Sequence, residues 1–170
     1  MIKAQFSGDS VSSNFSEAFS LYERSRFGEK VGSKIEYLLV EALFLIETVK
    51  MEVFIGSKKL DFDDLMKKIK KIDKDIDTKY AVFSNLRKKG YIVKTALKFG
   101  AEFRVYDRGI KPGDDHAKWI LYVVKENEVL KWHDFAAKNR IAHSTKKNLL
   151  VAIVDGEKDV SFYEVNWKRL

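Results

Sequence analysis

The chain of 170 residues contains no cysteine and a single proline. Without cysteine it can form neither a disulfide nor a thiolate metal site, and we expect a cytoplasmic protein. Its three histidines are scattered and show no recurring spacing with carboxylates, so we expect no metal ion and no other cofactor. The nine glycines form no phosphate-binding loop of a known kind.

Long apolar segments are also missing. The N-terminus lacks the apolar core of a signal peptide. The most apolar stretch, from Tyr37 to Val49, is interrupted by Glu41 and Glu47. That stretch is too short and too charged to span a bilayer, so we expect no membrane-bound form.

The residues that are present favour a folded protein with a polyanionic partner. Hydrophobic residues make up 45% of the chain and aromatic residues 13%, enough to bury a sizeable core. There are 32 lysines and arginines against 25 acidic residues, which gives a net charge of +7. This surplus favours a partner such as nucleic acid, although an ordinary solvated surface explains it equally well.

Capping patterns predict three helices in the first half of the chain. Ser33, with a glutamate three residues later, predicts the start of a helix that runs to about Lys50. Asp61 predicts the N-cap of a second helix, and a third begins at Asp77 and stops at Gly90. The lysine-rich end of the second helix, residues 67–77, indicates a domain boundary, so we predict an α/β (α+β) chain with a small N-terminal α/β domain over residues 1–76 and a C-terminal domain over 77–170.

The second half is rich in β-forming residues. A helix is predicted from Trp132 to Lys146, between the third and fourth of five strand candidates. These candidates are Tyr91–Phe99, Ala101–Asp107, Trp119–Lys125, Asn148–Asp155 and Val160–Trp167.

Three polar side chains of different acidity lie at the edges of these strands, namely Tyr106, His116 and Lys147. Side chains at strand ends can be held rigidly and still meet a substrate. Cleavage of an RNA phosphodiester without a metal needs a base for the 2′-OH, an acid for the departing 5′-oxygen and a cation for the phosphorus oxygens. Tyrosine, histidine and lysine suit these needs, but such a trio is also common among unrelated strand residues.

The sequence around the three residues is far more specific. It reads Y-x-V-x-T, then F-G-A-x-F-R-V-Y-x-R-G, a histidine ten residues after that tyrosine, and R-x-A-H-S-x-x-K. This pattern resembles the archaeal tRNA-splicing endonuclease family, and the likeness extends upstream through Y-E-R-S-R-F-G and L-V-E-A-L-F-L-I-E. It implies a restriction-endonuclease-like mixed sheet with packed helices. It also implies removal of introns from precursor tRNA at a bulge–helix–bulge, leaving 2′,3′-cyclic phosphate and 5′-hydroxyl ends.

The resemblance also implies a role for each residue. Tyr106 is the general base, His116 the general acid and Lys147 the cation. Lys146 is the alternative lysine, but the family motif places the reactive lysine four residues after the histidine of A-H-S. Two other histidines compete for the acid role on chemistry alone, His133 and His143.

Four further residues are candidates for RNA contacts. By resemblance, Arg140 and Trp167 clamp an unstacked bulge base, with stacking worth roughly 1–3 kcal/mol per base. Trp167 also fits a plain core position. Arg104 and Arg108 flank the catalytic tyrosine and could contact phosphate or favour its deprotonation.

The loop after the fourth strand candidate carries three carboxylates, Asp155, Glu157 and Asp159. The resemblance implies that this loop docks into a basic pocket of a neighbouring subunit, while an ordinary hairpin turn explains the sequence equally well. Because one chain carries one Tyr/His/Lys set and the substrate has two scissile bonds, two copies of the chain are needed, and the family resemblance implies a tetramer. It contains four copies of the chain, as the loop's acidity favours, or two copies with two of a related structural subunit, as Trp167 favours. We lean to the mixed form.

Two rival interpretations remain open. One is a non-catalytic structural or RNA-binding subunit of the same assembly, although such a subunit need not keep all three residues. The other is a restriction-like DNA nuclease, which would need a metal held by acidic residues.

Overall fold

The computed structural model describes all residues, 1–170, and divides into an N-terminal unit, Met1–Tyr80, and a C-terminal unit, Ala81–Leu170. Each unit combines helices with a mixed sheet, which confirms the predicted α/β class. None of the helices is long and apolar enough to cross a membrane.

The N-terminal unit is built on a six-stranded sheet. Its elements in chain order are β1 (Ile2–Phe6), β2 (Val11–Ser13), α1 (Ser16–Ser25), β3 (Glu29–Val31), β4 (Lys34–Tyr37), α2 (Leu39–Glu47), β5 (Met51–Ile55), β6 (Lys58–Leu60) and α3 (Phe62–Lys70). The strand order is β3-β4-β2-β1-β5-β6. Only β1 and β5 pair in parallel, while the other neighbours are antiparallel. The division between the two units falls within α4 (Ile76–Lys88).

The helix predicted to start at Ser33 is wrong in its first turns. Lys34–Tyr37 forms β4, in which Ile35 and Tyr37 are buried while Lys34 and Glu36 are partly exposed. This alternation has the period of a strand and not of a helix. The helix begins at Leu39, and the Glu41 carboxylate accepts the N–H groups of Leu38 and Gly28 at 2.9 and 3.0 Å.

Other local predictions are confirmed. Asp61 is the N-cap of α3 and accepts the N–H of Asp64 at 2.8 Å. The helix after it, α4, is followed by Gly90 at φ 90°, a left-handed backbone that glycine adopts without steric cost. The helix α1 was not predicted.

The C-terminal unit contains the mixed sheet that the sequence predicts. Its elements are β7 (Ile92–Ala96), a 3₁₀ turn (Leu97–Phe99), β8 (Ala101–Tyr106), β9 (Trp119–Lys125), α5 (Trp132–Ser144), β10 (Asn148–Val154) and β11 (Val160–Val165). The strand order is β11-β10-β9-β8-β7. The strands β9 and β10 are parallel, with α5 as the crossover between them, and all other pairs are antiparallel. Each predicted strand is found, and most of the observed strand ends lie within two residues of the predicted ones.

The helix α5 packs on one face of this sheet. Ala142 of the helix is buried together with Ile120, Tyr122 and Leu149 from the strands. Full burial of a large apolar side chain stabilises a fold by roughly 1.5–3 kcal/mol. This core therefore fixes α5 against β9 and β10, next to the loop that carries His116 and the turn that carries Lys147.

Candidate active site

The three residues predicted to be catalytic meet at one cavity. Tyr106, His116 and Lys147 all line a depression of about 430 Å³ in the C-terminal unit. They come from three different elements, the end of β8, the loop before β9 and the turn after α5. We call this depression the Tyr106 cavity.

Tyr106 is the last residue of β8 and is only 5% exposed. Arg104, two residues earlier, lies on the same face of the strand because side chains alternate with a period of two. Its guanidinium carbon is 6.0 Å from the centroid of the Tyr106 ring, and Arg104 also lines the cavity. A neighbouring positive charge stabilises a phenolate, which is the form a tyrosine must take to accept a proton.

His116 is exposed, and its loop is held from both sides. The Asp115 carboxylate accepts the His116 backbone N–H at 2.7 Å, and Pro112 pairs with Asp115 in an isolated β-bridge. At the base of the loop, Lys118 donates a hydrogen bond of 3.0 Å to Asp107. That bond keeps the pKa of Asp107 below its usual value. The backbone that carries the imidazole is therefore fixed, while the ring is open to a ligand.

The turn that ends α5 decides which of two adjacent lysines enters the cavity. Lys146 has a left-handed backbone, φ 56°, and its N–H reaches the carbonyl of His143 at 3.0 Å. The N–H of Lys147 reaches the carbonyl of Ala142 at 2.9 Å. These are the two hydrogen bonds of a Schellman motif. The turn leaves Lys146 exposed and places Lys147 in the cavity lining.

The Lys147 ammonium donates one hydrogen bond within the protein and has further donors for a ligand. Its Nζ donates to the carbonyl of Thr145 at 3.1 Å and lies 5.7 Å from the centroid of the Phe99 ring. An ammonium has three donors, so others remain for a ligand. Burial lowers the pKa of Lys147 below the ordinary lysine value, and the positive charges of Arg104 and Lys98 lower it further.

Arg108, the second arginine that flanks Tyr106 in the sequence, has a different environment. Arg108 lies over the Tyr91 ring, with its guanidinium carbon 5.4 Å from the centroid, and does not line the Tyr106 cavity. The Nε of Arg104 is buried and has no hydrogen-bond partner. Arg104 lines the cavity and Arg108 does not, so Arg104 is the better placed of the two to bind an anion there.

The two residues of the expected base clamp are brought into one region by His143. The ring centroids of Trp167 and His143 are 4.6 Å apart. His143 follows Arg140 by three residues on α5, a spacing that puts both on one helix surface. The indole of Trp167 is 56% exposed, so it is not a core residue. His133 is also exposed, on the first turn of α5.

The acidic loop is a tight hairpin between β10 and β11. The Asp155 carboxylate accepts the N–H groups of Glu157 and Asp159, both at 2.9 Å. The N–H of Gly156 donates to the Glu126 carboxylate at 3.0 Å. Asp155 therefore holds the turn together, while Glu157 and Asp159 face solvent.

Sequence reasoning missed part of the cavity lining. Lys98 and Phe99 line it from the turn before β8, and Asp114 and Asp115 line it from the loop before His116. The segment K-F-G stands at the head of the motif that carries Tyr106, and its position next to that motif is the signal that could have identified the first two. No group of three or more His, Cys, Asp or Glu side chains is placed to hold a metal ion.

A tyrosine, a histidine and a lysine around a cationic cavity, on a mixed sheet, define a nuclease-like site. Family models agree with this class. The model of the tRNA intron endonuclease catalytic C-terminal domain matches residues 76–162, and that of the tRNA intron endonuclease N-terminal domain matches residues 2–66. The chain belongs to the tRNA intron endonuclease family.

Relatives of known name support this membership. The chain is 42% identical over 167 residues to a tRNA-splicing endonuclease of Thermococcus onnurineus, which covers 98% of this chain and 96% of the relative. It is 42% identical over 140 residues to one of Nanoarchaeum equitans, covering 79% and 90% of the two chains. It is 34% identical over 149 residues to one of Methanothermobacter thermautotrophicus, covering 88% and 86%.

Proposed function

We propose that this chain cleaves precursor tRNA at the intron boundaries by transesterification through the ribose 2′-OH. The observation that carries the proposal is the convergence of Tyr106, His116 and Lys147 on one cavity that Arg104 also lines. The full-length likeness to named tRNA-splicing endonucleases supports precursor tRNA as the substrate.

Each side chain has one task in this reaction. The Tyr106 oxygen accepts the proton of the 2′-OH, and the 2′-oxygen attacks the adjacent phosphorus. The P–O5′ bond breaks, and His116 donates a proton to the departing 5′-oxygen. Lys147 and Arg104 stabilise the negative charge on the phosphorus oxygens. The products are a 2′,3′-cyclic phosphate and a 5′-hydroxyl.

Arg140 and Trp167 serve recognition in this proposal. The exposed indole of Trp167 contacts His143, one helical turn from Arg140, and an indole and a guanidinium in one region can hold an unstacked base between them. RNA bulges expose such bases, whereas paired regions do not. The clamp lies outside the Tyr106 cavity, so its role is to place the bulge and not to take part in the proton transfers.

Cleavage should continue at an unchanged rate in EDTA, because the three side chains carry the proton transfers and the charge stabilisation themselves. The measurement is the single-turnover rate on a bulge–helix–bulge RNA, with and without chelator. A matched substrate with 2′-deoxyribose at both scissile positions should not be cut. Loss of cleavage in EDTA with recovery on adding Mg²⁺ would instead support a metal-dependent nuclease.

We further propose that the chain works in a four-subunit particle. A substrate with two scissile bonds needs two Tyr106 cavities. The strand β11 pairs only with β10, and Tyr163 on it is 57% exposed, so its outer backbone groups are free to pair with another chain. The exposed carboxylates of Glu157 and Asp159, on the hairpin next to this edge, suit a basic pocket on another subunit.

Light scattering on the purified chain should therefore give a mass of two or four chains, and not of one. An active particle of four identical chains would support the homomeric form. An inactive dimer that becomes active on adding a related subunit would support the mixed form, which Trp167 favours. An active monomer would contradict the assembly proposal in both forms.

A further inference from the structure

A short turn next to the catalytic residues contributes a further lysine, Lys98, to the lining of the Tyr106 cavity. The 3₁₀ turn Leu97–Phe99 is closed by a hydrogen bond of 2.9 Å from the Gly100 N–H to the Leu97 carbonyl. Leu97 is 77% exposed, whereas Lys98 and Phe99 line the Tyr106 cavity. The turn therefore presents an ammonium and an aromatic ring to the cavity.

The Phe99 ring is shared by two ammonium groups. Lys98 Nζ lies 4.9 Å from its centroid and Lys147 Nζ lies 5.7 Å from it. A cation over an aromatic face is attracted by the ring quadrupole at such distances. Phe99 is also packed against the buried core of the C-terminal unit, so the ring itself is fixed. It can hold both lysines at the cavity at once.

The side chains that line the cavity carry a net positive charge. Lys98, Arg104 and Lys147 supply three positive charges, and their repulsion contributes to the lowered pKa of Lys147. The facing carboxylates are Asp114 and Asp115, and Asp115 is engaged with the N–H of His116. Three positive charges against two carboxylates leave a net charge of +1, and no ion pair engages the Lys98 ammonium, which can therefore bind a phosphate that enters with the RNA strand.

The three cations differ in their distance from the chemistry. Arg104 lies against the Tyr106 ring, and Lys147 is anchored on the Thr145 carbonyl. These two suffice for the charge on the reacting phosphorus oxygens. Lys98 contacts Phe99 and is exposed, so its ammonium can move to a ligand group farther along an RNA strand.

We propose that Lys98 binds a phosphate of the substrate RNA next to the one that is cleaved. The proposal rests on the proposed function, since it takes RNA as the ligand of the Tyr106 cavity. Lys98 is then a substrate-binding residue that sets the register of the strand. Its loss weakens binding and leaves the cleavage step nearly unchanged.

The test is the affinity of Lys98→Gln for a bulge–helix–bulge RNA with 2′-deoxyribose at the scissile positions, measured at several salt concentrations. We expect about a tenfold loss of affinity, the effect of one charge-assisted hydrogen bond. The slope of log affinity against log salt should fall by about 0.7–0.9, as one phosphate contact fewer releases fewer counterions. Lys98→Arg should keep the slope.

A matched control is Lys131→Gln, an exposed lysine of the same unit outside the cavity, which should keep both affinity and slope. Unchanged affinity and slope in Lys98→Gln would overturn the proposal, as would an equal loss in Lys131→Gln. Single-turnover cleavage of the all-ribose RNA gives a separate readout. A wild-type chain that binds RNA but does not cleave it would contradict the proposed function and leave the Lys98 contact standing.

The pH profile gives a second readout that a purely structural lysine would not move. The groups that line the cavity with Lys147 are Lys98, Arg104, Tyr106, Asp114, Asp115 and His116. Removing the positive charge of Lys98 relieves repulsion on the Lys147 ammonium, which stays protonated to higher pH. The alkaline fall in cleavage rate of Lys98→Gln should therefore shift to higher pH, and a shift to lower pH would count against the proposal.

Discussion

Replacing His116 with alanine should lower the single-turnover cleavage rate by about 10²–10⁴-fold, the usual cost of losing a general acid. RNA affinity should change by no more than a few-fold. The loop backbone is held by Asp115 through the N–H of residue 116, which alanine retains. The imidazole is exposed, so its removal opens no core cavity. The fold should therefore survive, and the loss should appear in the cleavage step alone.

The matched control is His133→Ala. His133 is an exposed histidine on the first turn of α5 and does not line the Tyr106 cavity. Its loss should leave the rate within a few-fold of wild type. An RNA whose 5′-oxygen is replaced by sulfur, a far better leaving group, should restore much of the rate to His116→Ala. Wild-type turnover of the ordinary RNA by His116→Ala at neutral pH would remove this residue from the mechanism.

Replacing Lys147 with glutamine should lower the cleavage rate by about 10²–10³-fold, as when one preorganised donor to a developing oxyanion is lost. Glutamine keeps much of the side-chain length but not the charge. The control is Lys146→Gln, the same change one residue earlier, where the side chain is exposed and the left-handed backbone is already occupied by a residue with a Cβ. It should leave the rate nearly unchanged. Equal losses of cleavage rate in the two variants would mean that the rate depends on the shape of the turn after α5 and not on the Lys147 ammonium.

The pH dependence of Lys147 has a definite sign. The charged form is the active one, so the rate falls as pH rises through the pKa of Lys147. Burial, helped by Arg104 and Lys98, lowers that pKa, so the fall begins at a lower pH than for an ordinary lysine. An arginine stays charged throughout this range. The variant Lys147→Arg should therefore lose the part of the alkaline fall that Lys147 causes, while it keeps part of the rate and the part of the fall that the general acid His116 causes.

The sequence predicts the elements that carry the site because their signals are local. The strands that end at Tyr106 and begin at Trp119 are alternating or continuous runs of β-forming residues, and the structure places them within a residue of the predicted bounds. Asp61 is a cap whose partner is three residues away. Such short-range patterns need no knowledge of the tertiary fold.

The parts that the sequence did not predict depend on contacts between distant residues. Ser33 with Glu36 has the form of a capping box, but β4 pairs with both β2 and β3, and this pairing overrides the local pattern. Lys98 reaches the site only because β7 and β8 form a hairpin around its turn. Lys98 and Lys147 are 49 positions apart, and only the folded sheet brings both to the ring of Phe99.

The turn at the end of α5 also limits how this sequence can change over evolution. The interval from the helix to Lys147 is set by two backbone hydrogen bonds and one left-handed residue, whatever the side chains between them are. A left-handed backbone costs a non-glycine residue roughly 1–2 kcal/mol, so glycine or asparagine at position 146 would relieve the strain without moving the ammonium. Adding or removing one residue would rotate the lysine out of the cavity. During evolution this segment can therefore accept substitutions between the helix and Lys147, but it cannot accept an insertion or a deletion.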